Sequence, residues 1–501
     1  VLRPPKGVKY PIKVQVQVWS EELTFEKSIE ELTLEAPDKE SSVSFTLKDI
    51  GSTRKKQGSV FVFVKRDANL IAGFRIDVGL APSADFPGRT GQYMDYLYLD
   101  NQWFRFEEKE LAAPALTIYF RSHAGNVDVF AFNAEQPMWA ELGIKAAGIY
   151  TGTKGIYLAV TELAKRIEQG EQLALSDAFE LANRGYGLFS DLFCKPNTPS
   201  LKKLAKKIRN LPHGAEVTVA ADLHSDEFVL PWGFLYDQTP PEGQFGGTIE
   251  KDRFWGHRFQ LTIRPSSELV GSVVRFPVAE TPVLGPLYEL PEANEMDKYI
   301  RQLLQKRRIA TSEIEIEDSW IPALAGESFD VIHFLCHGYT VLSDNLLRNA
   351  LQGIADGRAL KYVKEPAKGS QLFTKKGTAT LAALQDKLER LQCSPIVLLS
   401  MCQSAQVSSF GGSFVTFFLN RGARAVVGTE GPNPFKLAQR MDQGIIDDLL
   451  QSTRLREAVW KMRKANIDEN ILALIYTVYG DGQATLPSLT LTLDRNARSL
   501  P

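Results

Sequence analysis

The sequence predicts two kinds of domain in one chain: an amino-terminal all-β sandwich-like domain and a carboxyl-terminal α/β domain with a mostly parallel sheet flanked by helices. Three observations lead to this prediction. Segments that alternate apolar and polar residues fill the first part of the chain, helical spacing fills the next, and short β-rich runs then alternate with helical segments. The last pattern is typical of α/β domains, because each crossover helix packs back onto a parallel sheet.

Residues 1–136 carry the strand-like signals. The segments "KVQVQVWS", "SVFVFVKR" and "NVDVFAF" alternate apolar and polar side chains, and polar or glycine-containing turns separate them. Strands of this kind bury one face, as in a β-sandwich. Since no catalytic residue pattern occurs here, we interpret residues 1–136 as a recognition or regulatory domain.

Residues 137–210 form a predicted helical connector. The segments "GIYLAVTELAKRIEQG" and "LKKLAKKIRN" have the composition and spacing of helices, with apolar residues three and four positions apart in the second. Trp232 and Trp255, which follow this connector, are expected to pack in a core, and we assign them no ligand.

Residues 211–501 alternate predicted strands with predicted helices. The strand candidates are short apolar runs, and in chain order they are "EVTVAAD", "RFQLTIRP", "VIHFL", "PIVLLSMC", "ARAVVGTE" and "LALIYTVYG". Helical segments such as "TATLAALQDKLERLQ" and "SFVTFFLNRG" lie between them. Gly422 is well suited to end the second of these helices, because glycine tolerates the left-handed conformation common at that position.

Composition and charge exclude several functional classes. The 501 residues include 58 basic and 60 acidic side chains, a formal net charge of −2, so direct nucleic-acid binding is not expected. No apolar run approaches a membrane span and no signal-peptide core appears, so we expect a cytoplasmic protein with no membrane partner. Four cysteines without a CxxC pair predict neither a disulfide scaffold nor a zinc site, and no cofactor is expected.

Reactive side chains follow two of the predicted strands. His337 comes two residues after Val331–Leu335, and Cys402 ends the run "PIVLLSMC". The carboxyl ends of parallel strands meet at one edge of a sheet, and the spacing of 65 positions between these two residues leaves room for one crossover helix. An imidazole near a thiol can generate the thiolate and later protonate a leaving group, which is what nucleophilic cysteine catalysis requires.

The motifs "FDVIHFLCHG", "PIVLLSMCQSA", "NRGARAVVGTEGPNP" and "YTVYGDGQATL" resemble, in this order, those of CHAT domains. These are caspase-like cysteine peptidases of the caspase, separase and gingipain clan. The resemblance covers roughly residues 201–487 and implies a caspase-like (haemoglobinase-type) α/β fold.

The resemblance also implies roles for individual residues. It makes Cys402 the nucleophile and His337 the base. The backbone N–H of Gly338, together with that of Cys402, forms the oxyanion hole, because a residue without Cβ lets its backbone approach the substrate carbonyl. His333 is then a core or supporting residue and Cys336 a packing residue.

Substrate preference is predicted from acidic residues near the site. Glu430 ends the strand "AVVGTE" and is placed to line a pocket, where a carboxylate favours Lys or Arg before the cleaved bond. Asp344 and Asp356 compete for this role. For Glu430 the alternative, a solvated loop carboxylate, has equal weight, and for the two aspartates it is favoured.

The sequence therefore predicts a cysteine endopeptidase that cuts a dedicated partner protein. By resemblance to prokaryotic CHAT proteins, we expect a regulated effector in antiviral defence, stress response or programmed cell death. A regulatory protein or small activator is expected to act through the amino-terminal half. The alternative is a catalytically silent CHAT-like interaction scaffold or a ligand-sensing module.

Overall fold

The structure is a computed structural model, and its atoms fall into two compact units. One unit consists of Val1–Thr117, Ala131–Pro137 and Ser266–Arg275, and the other of Ile118–Phe130, Met138–Pro265 and Phe276–Pro501. The residues described are 11–20, 23–36, 39, 41–50, 57–66, 69–79, 93–99, 114–123, 126–132, 138–142, 146–172, 175–195, 198–221, 230–241, 249–265, 284–288, 298, 302, 324, 329–335, 337–339, 371–374, 377–391, 394–401 and 414–486.

The first unit is built from antiparallel strands. A five-stranded sheet has the order β3-β1-β5-β6-β7, and β2 pairs with β4 in a separate two-stranded sheet. The strands are β1 (Ile12–Trp19), β2 (Leu23–Phe25), β3 (Ile29–Leu34), β4 (Leu47–Ile50), β5 (Gln57–Arg66), β6 (Asn69–Gly79) and β7 (Tyr93–Leu99). The predicted all-β character of this part of the chain is confirmed.

Alternation in the sequence explains the core of the first unit. In β1 the side chains of Ile12, Val14 and Val16 are buried while the residues between Ile12 and Val16 are exposed, as a period of two requires. These side chains pack with Val64 and Ile71 from β5 and β6. Burial on one face of the sheet is therefore encoded locally, strand by strand.

The second unit contains a ten-stranded sheet with the order β10-β9-β8-β11-β12-β20-β19-β18-β14-β13. Its strands are β8 (Leu116–His123), β9 (Asn126–Phe132), β10 (Met138–Leu142), β11 (Glu216–Ala221), β12 (Gln260–Pro265), β13 (Leu284–Tyr288), β14 (Val331–Leu335), β18 (Ile396–Leu399), β19 (Ala425–Thr429) and β20 (Tyr476–Gly480). A smaller sheet holds β15 (His337–Tyr339), β16 (Gln371–Thr374) and β17 (Gly377–Thr380). Because β8 and β9 belong to the large sheet, the boundary drawn at residue 136 from sequence falls inside that sheet.

The seven strands from β11 to β13 in this order form a mostly parallel sheet, which confirms the predicted α/β class. Every neighbouring pair is parallel except β19 and β20. The strands β13, β14, β18 and β19 therefore run in one direction, and β11, β12 and β20 run in the other. The carboxyl ends of the first group lie at one edge of the sheet.

Helices occupy the segments between these strands. They are α1 (Ala146–Glu168), α2 (Leu175–Phe193), α3 (Pro199–Asn210), α4 (Trp255–Arg258), α5 (Leu381–Lys387), α6 (Phe414–Asn420), α7 (Phe435–Leu450) and α8 (Leu455–Asn466). Among the described helices, none combines the length and apolar character needed to cross a bilayer. Shorter 3₁₀ turns cover Trp232–Phe234, Lys251–Arg253 and Ile471–Ile475.

Two local predictions are confirmed. Gly422 follows α6 with a φ of 104°, and the N–H of Ala423 bonds back to Phe418 O at 2.9 Å, so the glycine ends this helix as expected. Trp232 and Trp255 are buried, with ring centroids 6.3 Å apart. The ring of Phe193 from α2 stacks on Trp255 at 5.9 Å, so the predicted connector packs within the second unit.

Candidate active site

Strands β14 and β18 are neighbours and run parallel. Their register pairs Val331 with Ile396 and Phe334 with Leu399. All four residues of β18 are buried, as expected for the apolar run "IVLL" in the middle of a parallel sheet. The two strands that sequence analysis predicts to carry the reactive residues therefore end side by side.

The register of β14 with β18 relates the residues that follow one strand to those that follow the other. His337 comes three residues after Phe334, and Cys402 comes three residues after Leu399, the residue paired with Phe334. The two segments that carry the predicted dyad thus start from a paired position of neighbouring parallel strands, and the dyad itself stays a prediction.

The backbone of His337 and Gly338 belongs to β15. His337 pairs with Phe373 and Gly338 with Leu372 of β16, in antiparallel register. The polypeptide thus leaves the large sheet at Leu335 and enters the small three-stranded sheet almost at once. Hydrogen bonds of this second sheet hold the backbone at the position predicted for the base.

Four of the residues discussed from the sequence lie outside the part of the chain that the structure describes. They are Cys402, Asp344, Asp356 and Cys336. The described chain reaches Met401, one residue before the predicted nucleophile. The dyad itself and the pocket role of the two aspartates therefore stay predictions.

A buried polar network joins the two strands beneath this edge. Asp442 on α7 is 1% exposed, and its Oδ2 lies 2.8 Å from His333 Nε2 in β14. The Ser400 hydroxyl, just after β18, donates a hydrogen bond to Asp442 Oδ1. One carboxyl group thus connects α7 with both site-bearing strands, and His333 is a core residue, as the resemblance implied.

The last residues before Cys402 are also held by the backbone. Ser400 N–H donates to Phe334 O at 2.9 Å, which extends the pairing of β18 with β14. The buried hydroxyl of Thr429, at the end of β19, donates to Met401 O. Bonds from β14, α7 and β19 therefore converge on Ser400 and Met401, and they position the chain where the predicted nucleophile follows.

Sequence reasoning missed Asp442 and Ser400. A signal for Asp442 was present, because it lies four residues after Ala438 and three before Ile445 on the buried side of α7. A carboxyl group on an apolar helical face is costly unless it is paired, so its position indicates a buried partner. Nothing in the sequence identified that partner as His333.

Glu430 follows β19 and is 1% exposed. Its Oε1 accepts a hydrogen bond of 3.1 Å from the Tyr479 hydroxyl, and its N–H donates to Ile475 O at 2.9 Å. Burial raises the pKa of this carboxyl to about 8, although the positive charge of Arg463 offsets part of the rise. A substrate-pocket role for Glu430 stays a prediction, and this burial weighs against it.

The groups around Glu430 are equally buried. Burial lowers the pKa of Arg463 to about 10, and its Nε donates to Tyr476 O at 2.7 Å. Burial and then the charge of Glu430 raise the pKa of Tyr479 well above its usual range, and the same two causes act on Tyr157 of α1. Glu430 is thus part of a closed polar cluster.

Comparison with protein families supports the resemblance read from the sequence motifs. The model of the family described as "CHAT domain" matches residues 228–473, a range that contains β12–β15, β18, β19 and the candidate residues His337, Gly338, Cys402 and Glu430. A comparison with curated proteins finds no significant match.

Comparison with solved structures returns crystal structures of the Saccharomyces cerevisiae separase–securin complex at 2.6 and 3.0 angstrom resolution. Each aligns with a TM-score of 0.44 and 10% sequence identity. The alignments cover 73% of this chain and only 30% of the matched chain. The chain is thus similar to CHAT domains over residues 228–473, just under half of its length, and this range includes strands β12, β13, β14, β18 and β19 of the mostly parallel sheet.

Proposed function

We propose that this protein is a caspase-like cysteine endopeptidase in which Cys402 is the nucleophile and His337 the general base. The observation that carries the proposal is the parallel register of β14 and β18, which brings the chain to His337 and Cys402 at equal offsets from the pair Phe334 and Leu399. The match to the CHAT domain model over residues 228–473 supports it, because the resemblance of the sequence motifs to this family implies a caspase-like cysteine peptidase.

The proposed reaction follows ordinary cysteine-peptidase chemistry. His337 takes the proton from the Cys402 thiol, and the thiolate attacks the carbonyl carbon of the cleaved bond. The backbone N–H groups of Gly338 and Cys402 donate hydrogen bonds to the oxyanion that forms. The His337 imidazolium then protonates the leaving amine, and water, deprotonated by the same imidazole, hydrolyses the thioester.

The buried network described above supports the same assignment. A nucleophile and its base must be held within a fraction of an ångström of the productive geometry. The hydrogen bonds that join Asp442 to His333 in β14 and to Ser400 just after β18, and the bond that Thr429 donates to Met401, stabilise the two strand ends on which that geometry depends. Such support would serve a peptidase and a catalytically silent scaffold equally, and labelling of the thiol separates the two.

The biological role is proposed by family resemblance. We propose that the substrate is a dedicated partner protein and that the chain acts in the cytoplasm as a regulated effector of a prokaryotic defence, stress or cell-death system. We also propose that residues 1–136 bind a regulatory protein or small activator. The preference for Lys or Arg before the cleaved bond is retained only as a prediction, in view of the burial of Glu430.

Labelling by peptide acyloxymethyl ketones, followed by intact-mass analysis, tests the proposal. One probe carries Arg and one carries Asp at the reactive position. We expect one adduct on the wild-type protein, none on Cys402→Ala and a strongly reduced rate on His337→Ala. Cys194→Ala is the matched control, because Cys194 is a free, half-buried thiol outside the CHAT domain, and this variant should label normally.

The pattern of labelling separates the alternatives. An adduct that persists in Cys402→Ala would contradict the assignment of the nucleophile. Preference for the Asp probe would retain the peptidase and remove the predicted basic specificity. No adduct with either probe, in the presence of candidate partners as well as alone, would favour the interaction scaffold.

A further inference from the structure

We propose that His213, Asp252 and His257 form a binding site for a divalent transition metal ion, with Zn²⁺ the best match. Among the described residues, they are the one group of three whose potential ligand atoms all lie within 4.8 Å of one another. The group is separate from the candidate peptidase site, and the proposal does not depend on peptidase activity.

The distances are close to those of a tetrahedral site. Asp252 Oδ1 lies 3.1 Å from His213 Nε2 and 2.9 Å from His257 Nδ1. Ligand atoms about 2.0–2.1 Å from a tetrahedral zinc ion are roughly 3.3 Å apart from one another. A shift of the Asp252 carboxylate away from each imidazole by a few tenths of an ångström would therefore make room for the ion.

The ligand types favour zinc over the alkaline-earth ions. Imidazole nitrogen suits Zn²⁺, Cu²⁺ and Ni²⁺, whereas Mg²⁺ and Ca²⁺ prefer sites made of oxygen. Two imidazoles and one carboxylate are a common zinc ligand set, with water as the fourth ligand. The Asp252 side chain is 68% exposed, so an ion can enter from solvent and retain a water molecule.

Hydrogen bonds hold the segments that carry these ligands. His213 lies in the turn before β11, and the next residue, Gly214, donates its N–H to Arg258 O at 2.7 Å. On the other side, Trp460 of α8 donates from Nε1 to His257 O at 2.8 Å. The turn that carries His213 is thus tied to α4, and His257, within α4, is tied to α8.

Gly214 is required in this arrangement. Its φ is +77°, a conformation that favours glycine, and a Cβ added there would lie 3.2 Å from the Trp460 ring. The close approach lets Trp460 pack under the turn, with its ring centroid 5.6 Å from that of His213. The turn is therefore shaped to bring His213 towards His257, whose ring centroid is 5.4 Å from that of His213.

Two neighbouring cations oppose metal binding and are partly neutralised. Lys251 and Lys464 both lie near enough to influence His257. Lys251 pairs with Asp468, and the ammonium of Lys464 lies over the Trp460 ring, 5.4 Å from its centroid. Both ammonium groups are therefore engaged by other partners, and Asp252 supplies a negative charge in direct contact with both imidazoles.

The sequence argument against zinc depended on cysteine pairs, and it did not cover this kind of site. His213 and Asp252 are 39 positions apart and become neighbours only when β11 and β12 pair in parallel. A bound ion would link the turn that leads into β11 with the α4 turn that leads into β12. Its expected effect is therefore to stabilise this part of the sheet.

Isothermal titration with zinc chloride tests the proposal on the full chain. Cys402→Ala serves as the parent protein, so that zinc bound by the predicted catalytic thiol does not contribute. We expect one equivalent of Zn²⁺ to bind and to raise the Tm. In this parent, His213→Ala and Asp252→Asn should each weaken binding at least tenfold, because each removes one of three protein ligands.

Glu469→Gln is the matched control. It removes an exposed carboxylate that pairs with Arg440 and is not a ligand, so it should change the zinc affinity far less than either ligand variant. Titration with Co²⁺ gives an independent signature, since a His₂Asp site shows ligand-field absorption without a thiolate charge-transfer band.

Three results would overturn the proposal. They are the absence of zinc binding in the parent, zinc binding that is unchanged in His213→Ala, and a cobalt spectrum with thiolate character. Any of them would leave the three side chains as a carboxylate hydrogen-bonded between two imidazoles. None would bear on the proposed peptidase, which the labelling experiment tests separately.

Discussion

At the scale of single residues, Glu430 shows how burial controls ionisation in this domain. Its carboxyl has a pKa of about 8, compared with an ordinary value of 4.5, chiefly because burial disfavours the charged form. The native protein therefore keeps a proton on this group at neutral pH, whereas the unfolded chain loses it above 4.5. Native Glu430 thus binds more protons than unfolded Glu430 over this window, so the carboxyl lowers stability as pH rises.

We predict that Glu430→Gln makes the free energy of unfolding fall less steeply between pH 4.5 and about 8. The difference in slope should be up to about 1.4 kcal/mol per pH unit, the free energy of one fully displaced proton. Urea denaturation of both proteins at several pH values in this window measures it. Glu457→Gln, which removes a partly exposed carboxylate, is the control, and equal slopes for wild type and Glu430→Gln would contradict the prediction.

At the scale of elements, the strands were readable from the sequence where they are short, apolar and fully buried. The predicted strand Val331–Leu335 has the bounds of β14, and "PIVLLSMC" contains β18. Burial on both faces leaves an apolar run in the sequence, so these elements and their parallel pairing followed from pattern alone.

Other elements depended on contacts that local sequence does not encode. The run "LALIYTVYG" is divided into a 3₁₀ turn and β20, and the Asn470 side chain caps that turn by accepting from Leu472 N–H at 3.0 Å. The predicted strand "RFQLTIRP" begins only at Gln260, because Arg258 ends α4 and bonds to Asp237 at 2.7 Å. The antiparallel pairing of β19 with β20 could not be predicted either, because the spacing of hydrophobic residues does not indicate the direction in which a strand runs.

At the candidate site, too, the buried strands were predictable from the sequence and the long-range contacts were not. His337 and Cys402 follow buried strands, so their places were predictable, whereas the bridge through Asp442 is a contact between residues 109 positions apart. Patterns reveal that a carboxyl lies on an apolar face but not which group it meets.

We predict that Asp442→Asn destabilises the protein by about 2–4 kcal/mol, because it weakens buried hydrogen bonds to both His333 and Ser400. It should also slow the labelling of Cys402 by on the order of tenfold or more, since both strand ends lose their common anchor. Urea denaturation and the rate of adduct formation measure the two effects.

Asp448→Asn is the control for this substitution. Asp448 lies on the same helix and forms a partly exposed ion pair with Lys461 at 3.7 Å, so its loss should cost no more than about 1 kcal/mol. An Asp442→Asn protein that is destabilised and labels at the wild-type rate would show that the network holds the fold without positioning the site.

At the scale of the whole molecule, the large sheet extends past the boundary drawn from sequence. Strands β8 and β9 lie before residue 136, yet they continue the sheet on the β11 side. Phe120 of β8 is fully buried and its ring lies 5.2 Å from that of Trp232 and 6.1 Å from that of Phe193. The second unit therefore uses residues from about 118 onwards for its core.

We predict that a fragment of residues 114–501 folds and that a fragment of residues 137–501 does not. Removal of β8 would leave the edge of β11 without its neighbour and would expose the rings of Trp232 and Phe193, which Phe120 now covers. Circular dichroism, cooperative urea unfolding and the apparent mass on gel filtration compare the two fragments. In the longer fragment, Phe120→Ala should lower stability by about 3–5 kcal/mol. If the shorter fragment unfolded cooperatively and with equal stability, β8 and β9 would belong energetically to the amino-terminal domain, and a boundary at residue 136 would describe the chain better.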